Sequence, residues 1–197
     1  MILAIRQLLQ LLKDRWLTNV YFRKWVLAIG LFVAIVVDGV CSFYLHQFMD
    51  YGSFGAASLI LPISVMLIGL FDDTNENEIW LALGTGIVAD IYFYGFIGVY
   101  AVFLPLSCWI CQKIARFLPE IFWARLIVVL LGTTIFVAYS WLIFNMIGIA
   151  TTSIHGLLMS LLVNQGWTAG FFVCLYWIWG NLAQDYPFLI DLNAYRV

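Results

Sequence analysis

Residues 79–118 read IWLALGTGIVADIYFYGFIGVYAVFLPLSCWICQKIARFL, 40 residues of nearly unbroken apolar sequence. A single helix of that length would run about 60 Å at 1.5 Å per residue, twice the roughly 30 Å thickness of a bilayer's hydrocarbon core. The stretch must therefore fold back on itself. Gly95-Phe96-Ile97-Gly98 is the natural corner, because glycine accepts the backbone angles of a tight turn. A hairpin of two short apolar helices follows, crossing the membrane or re-entering on one side.

The rest of the chain agrees with a bilayer setting. Of 197 residues, 64% are hydrophobic and 10% charged, with a mean hydropathy of +1.00. An average soluble domain carries about 25% charge. This composition excludes a soluble enzyme, a disordered chain and a secreted disulfide scaffold, and leaves an integral membrane protein. The net charge of −2 offers no polybasic surface for nucleic acid. Cys41, Cys108, Cys111 and Cys174 all lie in apolar stretches and read as small buried hydrophobes. The Cys108-x-x-Cys111 pair has no second pair or histidine cluster to make a metal or redox site.

Around the hairpin, further runs are long enough to span. They are Trp25 to Leu45, Phe54 to Phe71, Phe122 to Ile149 and Ile154 to Leu182, with an acidic, polar loop at 72–78. The expected fold is an all-α polytopic bundle of six transmembrane helices over 25–182, with both termini cytoplasmic. Residues 1–24 combine helically spaced Ile and Leu with Arg6, Lys13, Arg15, Arg23 and Lys24. They are expected to form an amphipathic surface helix and not a cleavable leader. Residues 183–197 form a cytoplasmic tail. In this topology all nine Lys and Arg residues fall on the cytoplasmic side, as the positive-inside rule asks. The outer loops, 46–53 and 150–153, are too short for a catalytic domain. No nucleophile–base–acid set, zinc site or phosphate-cradling loop occurs, so no enzymatic activity and no cofactor is expected.

Two carboxylates stand where oil should be. Asp38 and Asp90 lie 13 and 11 residues into their spans, at similar depth, where an Asp costs about 2.5–3.5 kcal/mol. Each continues a stripe of small residues at i, i+4, i+8: Gly30-Ala34-Asp38 and Ala82-Gly86-Asp90. Such stripes let helices approach closely in lipid. Both acids are expected to point into protein, with spans one and three packed together. No cation lies at that depth, so a neutral acid bonded to a hydroxyl, amide or carbonyl is expected. Its role is open between a proton relay or ligand contact and a pin between helices. Pro62 and Pro105 are expected to kink or interrupt their helices. Gly166-x-x-x-Gly170 is a weak helix-packing motif. Asn145, Asn164 and Gln165 lie toward the outer side. Trp167, Tyr176, Trp177 and Trp179 read as interfacial anchors or as a pocket lining.

The segment from Gly86 through Asp90, Gly95 and Gly98 to Ala101 has the form G-x-x-x-D-x-x-x-x-G-x-x-G-x-x-A. It resembles the signature of the bacterial rod shape-determining MreD family, whose short loops and six spans also look like residues 25–185. The resemblance implies a fold similar to the substrate-binding S components of energy-coupling-factor vitamin transporters. It implies a non-enzymatic scaffold in the bacterial inner membrane, within the peptidoglycan elongation machinery. Implied partners are MreC first, then RodA, its transpeptidase and the MreB filament, together with membrane lipid. On this view Gly86, Asp90, Gly95 and Gly98 shape the hairpin, and the small-residue surface holds a single transmembrane helix of MreC. Asp38 is not part of that pattern. The alternative is a vitamin-transporter S component, for which Gly30-x-x-x-Ala34 partly matches a docking pair in the first span. A lipid-holding groove beside Asp90 is a third reading.

Overall fold

The computed structural model describes residues 20–49, 55–72, 75, 77–148 and 153–185. The amphipathic segment expected at 1–24 and the tail at 183–197 fall wholly or mostly outside these residues. The described chain is all-helical. Its elements are α1 (Val20–Met49), α2 (Ile60–Phe71), α3 (Asn77–Phe93), α4 (Tyr100–Ala115), α5 (Phe122–Ile147) and α6 (Ile154–Asp185). Three helices are long and apolar enough to cross a membrane: those over Trp25–Met49, Phe122–Ile147 and Ile154–Ala183. The other three are short. At 1.5 Å per residue α2, with 12 residues, is about 18 Å long, and α3 and α4, with 17 and 16, are about 26 and 24 Å.

The core is built around α2. Its residues from Ile60 to Leu70 are all buried, and it touches each of the other five helices. An apolar helix with no polar face has to be enclosed on every side. The long helices instead show large apolar side chains outward, among them Phe32, Phe43, Leu131 and Val173. In water such an exterior would aggregate; in a bilayer it is solvated by lipid.

The apolar run expected to span from Phe54 begins as non-helical chain, and helix starts only at Ile60. Pro62 explains part of this. It is the third residue of α2, where its missing N–H costs no helical bond, so it opens the helix instead of kinking it. Pro105 does lie inside α4. The 79–118 stretch folds back at the expected corner, where Gly95 and Gly98 take φ of 73° and 143°. The fifth helix stops two residues early, at Gly148, whose φ of 79° forms a left-handed cap.

Helices α3 and α4 pack closely because Gly86 has no side chain. A Cβ there would lie 2.7 Å from the Tyr100 carbonyl oxygen and 2.8 Å from the Ala101 Cα. Gly69 does the same for α2 against α4, where a Cβ would meet the Cys108 carbonyl oxygen at 2.8 Å. Cys108 and Cys111 are buried free thiols on this packed face, as expected, whereas Cys41 is half-buried and Cys174 is exposed.

Candidate functional site

Both carboxylates are fully enclosed by the chain, Asp38 at 1% and Asp90 at 0% exposure. Each reaches from a rising helix to the start of the next. Asp90 Oδ2 accepts the N–H groups of Gly98 at 2.7 Å and Ala101 at 3.0 Å, and Oδ1 accepts that of Tyr100 at 2.7 Å. Tyr100 and Ala101 are the first two residues of α4. Asp38 Oδ1 accepts the Ser58 hydroxyl and the N–H of Ile60, and Oδ2 accepts the N–H of Leu61. Ile60 and Leu61 are the first two residues of α2.

The two sites use one device. The first turn of any helix leaves N–H groups without intrahelical partners. In water these bond solvent or a side chain just ahead of the helix; in a bilayer they must be satisfied by protein. Neither α2 nor α4 has a local side-chain cap. The carboxylate is delivered instead from the preceding helix, and meets the positive end of the helix dipole. Every partner of Asp90 is a backbone N–H, so the O–H of a neutral acid there would find no acceptor among them, whereas at Asp38 the Ser58 hydroxyl can serve as donor or acceptor. The neutral acid expected from sequence presumed hydroxyl, amide or carbonyl partners. Only the Ser58 hydroxyl is of that kind; helix N-termini supply the rest.

Every position of the G-x-x-x-D-x-x-x-x-G-x-x-G-x-x-A motif has a part in this hairpin. Gly86 admits the α4 backbone, Asp90 holds its first turn, and Gly95 and Gly98 turn the chain. Ala101 donates to Asp90 and sits against Gly86. Tyr139 of α5 closes the arrangement from outside, its hydroxyl donating to the Gly98 carbonyl at 2.8 Å. Sequence alone gave no reason to single out Tyr139 or Ser58.

The small-residue stripes therefore face the chain's own helices. Ala82 and Ala34 are buried at 1% and 6%. Gly30 lies under the Trp179 ring, which a Cβ would approach to 3.0 Å. A partner helix expected to seat directly on Gly30, Ala34, Ala82 or Gly86 would find those positions occupied. What remains open between α1 and α3 is a shallow apolar groove of about 250 Å³ on the outer surface. Ala28, Phe32, Trp80, Gly84 and Val88 are among its walls. Gly84 has nothing within 4 Å of where a Cβ would stand.

A larger cavity of about 370 Å³ opens at the corner end. It lies between the non-helical segment 55–59, the corner residues Tyr94 and Tyr100, and the facing ends of α5 and α6. Asn164, on α6, fixes its rim by accepting the Ala57 N–H at 2.9 Å. Asp38 and Asp90 hold its two entering helices but are not in its lining. Of the four aromatic residues expected as anchors or a pocket lining on α6, Tyr176 and Trp177 line one cavity with Phe71, Glu120 and Arg125, while Trp179 packs on Gly30 and Trp167 stacks on Phe171.

At the opposite end, Glu78 is buried although it belongs to the polar 72–78 stretch. It precedes the first apolar residue of α3. Gln112 Nε2 donates to Glu78 Oε2 at 3.2 Å and to the Asn75 carbonyl at 3.0 Å. Burial first, then the charge of neighbouring Asp72, push the Glu78 carboxyl from 4.5 up to about 9.

No protein-family model, curated protein or solved structure matches the chain.

Proposed function

We propose that this chain is a six-span scaffold of the MreD type in a bacterial inner membrane, with both termini cytoplasmic. On this reading it holds MreC, and through it the elongation machinery for peptidoglycan. It does so by helix packing and without catalysis. The observation that carries the reading is the complete use of the motif. One Asp, three glycines and an alanine at fixed spacing make a single cross-braced hairpin. The scaffold role is supported further by where the polar groups go: the two buried acids are spent on internal helix starts. The three short helices would complete a six-span count, with α3 and α4 packed against α2 in the manner of an S-component-like bundle.

Because the small-residue stripes are covered, the seat for a partner's single transmembrane helix is the groove between α1 and α3. Its floor is small at Ala28 and Gly84, and its walls are large at Phe32 and Trp80. Small residues at the contact line let a second helix approach closely. The vitamin-transporter alternative called for an exposed docking pair at Gly30-x-x-x-Ala34; Trp179 lies over Gly30, and Ala34 is buried.

The test is co-purification from mild detergent with MreC co-expressed, using the unaltered chain and Gly84→Leu. Leucine at 84 has room beside the chain's own helices and fills the groove. The expected result is capture of MreC by the unaltered chain and its loss with Gly84→Leu at equal expression. Failure of the unaltered chain to capture MreC overturns the scaffold reading. Capture by both overturns the groove as the seat.

A further inference from the structure

Four helix ends meet at the face opposite the corner. There α2 closes at Phe71, α4 closes at Ala115, α5 opens at Phe122, and the apolar part of α6 runs out at Ala183. Two of these ends belong to helices long and apolar enough to cross a membrane. In a bilayer this face therefore lies where hydrocarbon gives way to headgroups. Phe117, Ile121, Trp123 and Trp177 stand exposed around it, a rim that suits the headgroup layer better than open water.

Two hollows open here, of about 320 and 440 Å³, and both have Phe71, Glu120 and Arg125 in their walls. Arg116, at the end of α4, joins the first; Tyr176, Trp177 and Asn181 of α6 join the second. Arg125 stands between the two. Its guanidinium carbon lies 4.3 Å from the centre of the Phe71 ring and 6.0 Å from that of Tyr176. Ring faces attract the cation, but they do not replace oxygen acceptors for its five N–H donors. Among the described residues no carboxylate or carbonyl takes those donors. The rings thus fix the guanidinium in place and leave its fork for whatever fills the hollows. Glu120 opposes an anion, yet two arginines outnumber it in the first hollow. A guanidinium fork matches the oxygens of a phosphate. The second hollow adds the Asn181 amide and the Tyr176 hydroxyl, which suit neutral hydroxyls.

We propose that this face binds the phosphate of an anionic phospholipid. The phosphate sits in the first hollow between Arg116 and Arg125, the headgroup reaches toward Asn181, and the tails leave past the exposed rim. A free phosphate ion shares the chemistry that the arginines recognise; the apolar rim favours the lipid. The site requires a membrane but no partner protein, so it stands or falls apart from the scaffold role.

The experiment is native mass spectrometry of the delipidated, detergent-solubilised full chain, titrated with the dioleoyl forms of phosphatidylglycerol, phosphatidylethanolamine and phosphatidylcholine. The three share tails and a phosphate and differ in net charge. Phosphatidylglycerol should bind at least about tenfold more tightly than the other two, a difference of about 1.4 kcal/mol. Arg125→Gln should remove that preference, and Arg125→Lys, which keeps the charge, should retain most of it. Glu120→Gln, at an exposed position, should tighten phosphatidylglycerol severalfold and leave phosphatidylcholine unchanged; it decides the matter if Arg125→Gln does not fold. Equal binding of the three lipids, a preference that survives Arg125→Gln, or no gain in Glu120→Gln overturns the proposal. Tightest binding of phosphatidylethanolamine would assign Glu120 to an ammonium group and overturn it as well. Displacement of phosphatidylglycerol by an equal concentration of inorganic phosphate would overturn the lipid as occupant.

Discussion

Replacing Asp90 by Asn removes the charge and one acceptor while keeping the size. In the native hairpin three N–H groups reach the carboxylate at 2.7, 2.7 and 3.0 Å. Hydrogen bonds to a charged group contribute about 1.5–3 kcal/mol each, and neutral ones about 1. The carboxamide does best with its oxygen in the place of Oδ2, which keeps Gly98 and Ala101 as neutral bonds. Its amino group then faces the Tyr100 N–H, donor against donor, in a site closed to bulk solvent. Two bonds weaken by about 1 kcal/mol each, one is lost, and a buried donor is stranded at a further cost of about 1–3 kcal/mol. Relief from burying a charge offsets part of this. The net loss is roughly 3–5 kcal/mol, a large share of the 5–15 kcal/mol that holds a typical domain together. Thermal melting of the detergent-solubilised protein, followed by loss of the monodisperse elution peak, measures it. At about 2–4 °C per kcal/mol for a chain of this size, Asp90→Asn should melt at least about 6 °C lower. Melting within about 2 °C of the unaltered chain would refute the capping argument and return Asp90 to a neutral pin.

Two glycines two residues apart should behave oppositely. Gly86→Ala sets a methyl group 2.7–2.8 Å from backbone atoms of Tyr100 and Ala101, and should lose about 1–3 kcal/mol or more. Gly84→Ala meets nothing and should gain up to about 1 kcal/mol from helix propensity; parallel melting curves check both. Ser58→Ala removes the hydroxyl bond to Asp38 and should lower stability by about 1.5–3 kcal/mol in the same assay. Glu78 has its carboxyl at about 9 when folded against 4.5 as reference, so the folded chain holds the extra proton between those values. Its contribution is therefore greatest below about pH 4.5 and is lost as pH rises toward 9, by at most about 1.4 kcal/mol per unit. Glu78→Gln should flatten the fall in melting temperature between pH 6 and 9, and an unchanged slope would show that another group titrates.

Much of the architecture was legible because lipid imposes few options. Apolar runs, their lengths against a bilayer, and the Gly95–Gly98 corner follow from composition and backbone geometry alone. The inward direction of Asp38 and Asp90 also followed, since the i, i+4, i+8 stripes repeat on both helices. Their partners were not legible. To see that Asp38 caps α2 requires knowing that helix begins at Ile60 and not at Phe54, and an apolar run does not mark its own start. Pro62 was the available signal, and it reads equally as a kink. The stripes pointed to close packing but could not say whether the second helix came from this chain or another. Glu78 misled for a simpler reason: a run of Asp, Asn and Glu reads as solvated loop, yet its last acid is folded under Gln112.

The repetition of the capping device bears on why the chain tolerates acids that a bilayer penalises. Segments 55–59 and 94–99 are non-helical backbone between helices of an apolar bundle. Such backbone survives away from water only where its polar groups are met by protein or line a cavity. A cation could not meet them, because the orphan groups at a helix start are donors. A hydroxyl or amide offers one acceptor atom. A carboxylate offers two, and each Asp here uses both. Two acids thus let two helices begin inside the bundle instead of at its surface, and the space ahead of those shortened helices is the cavity. Converting both acids to Leu should therefore do more than destabilise. Pro62 bars α2 from lengthening backward, because its ring would then meet the Ser58 carbonyl, so helices without their caps fray from their first turns and helix content by far-UV circular dichroism falls. A doubly substituted chain that folds with unchanged helix content and melting would separate the helix starts from the carboxylates, and the link drawn between them would fail.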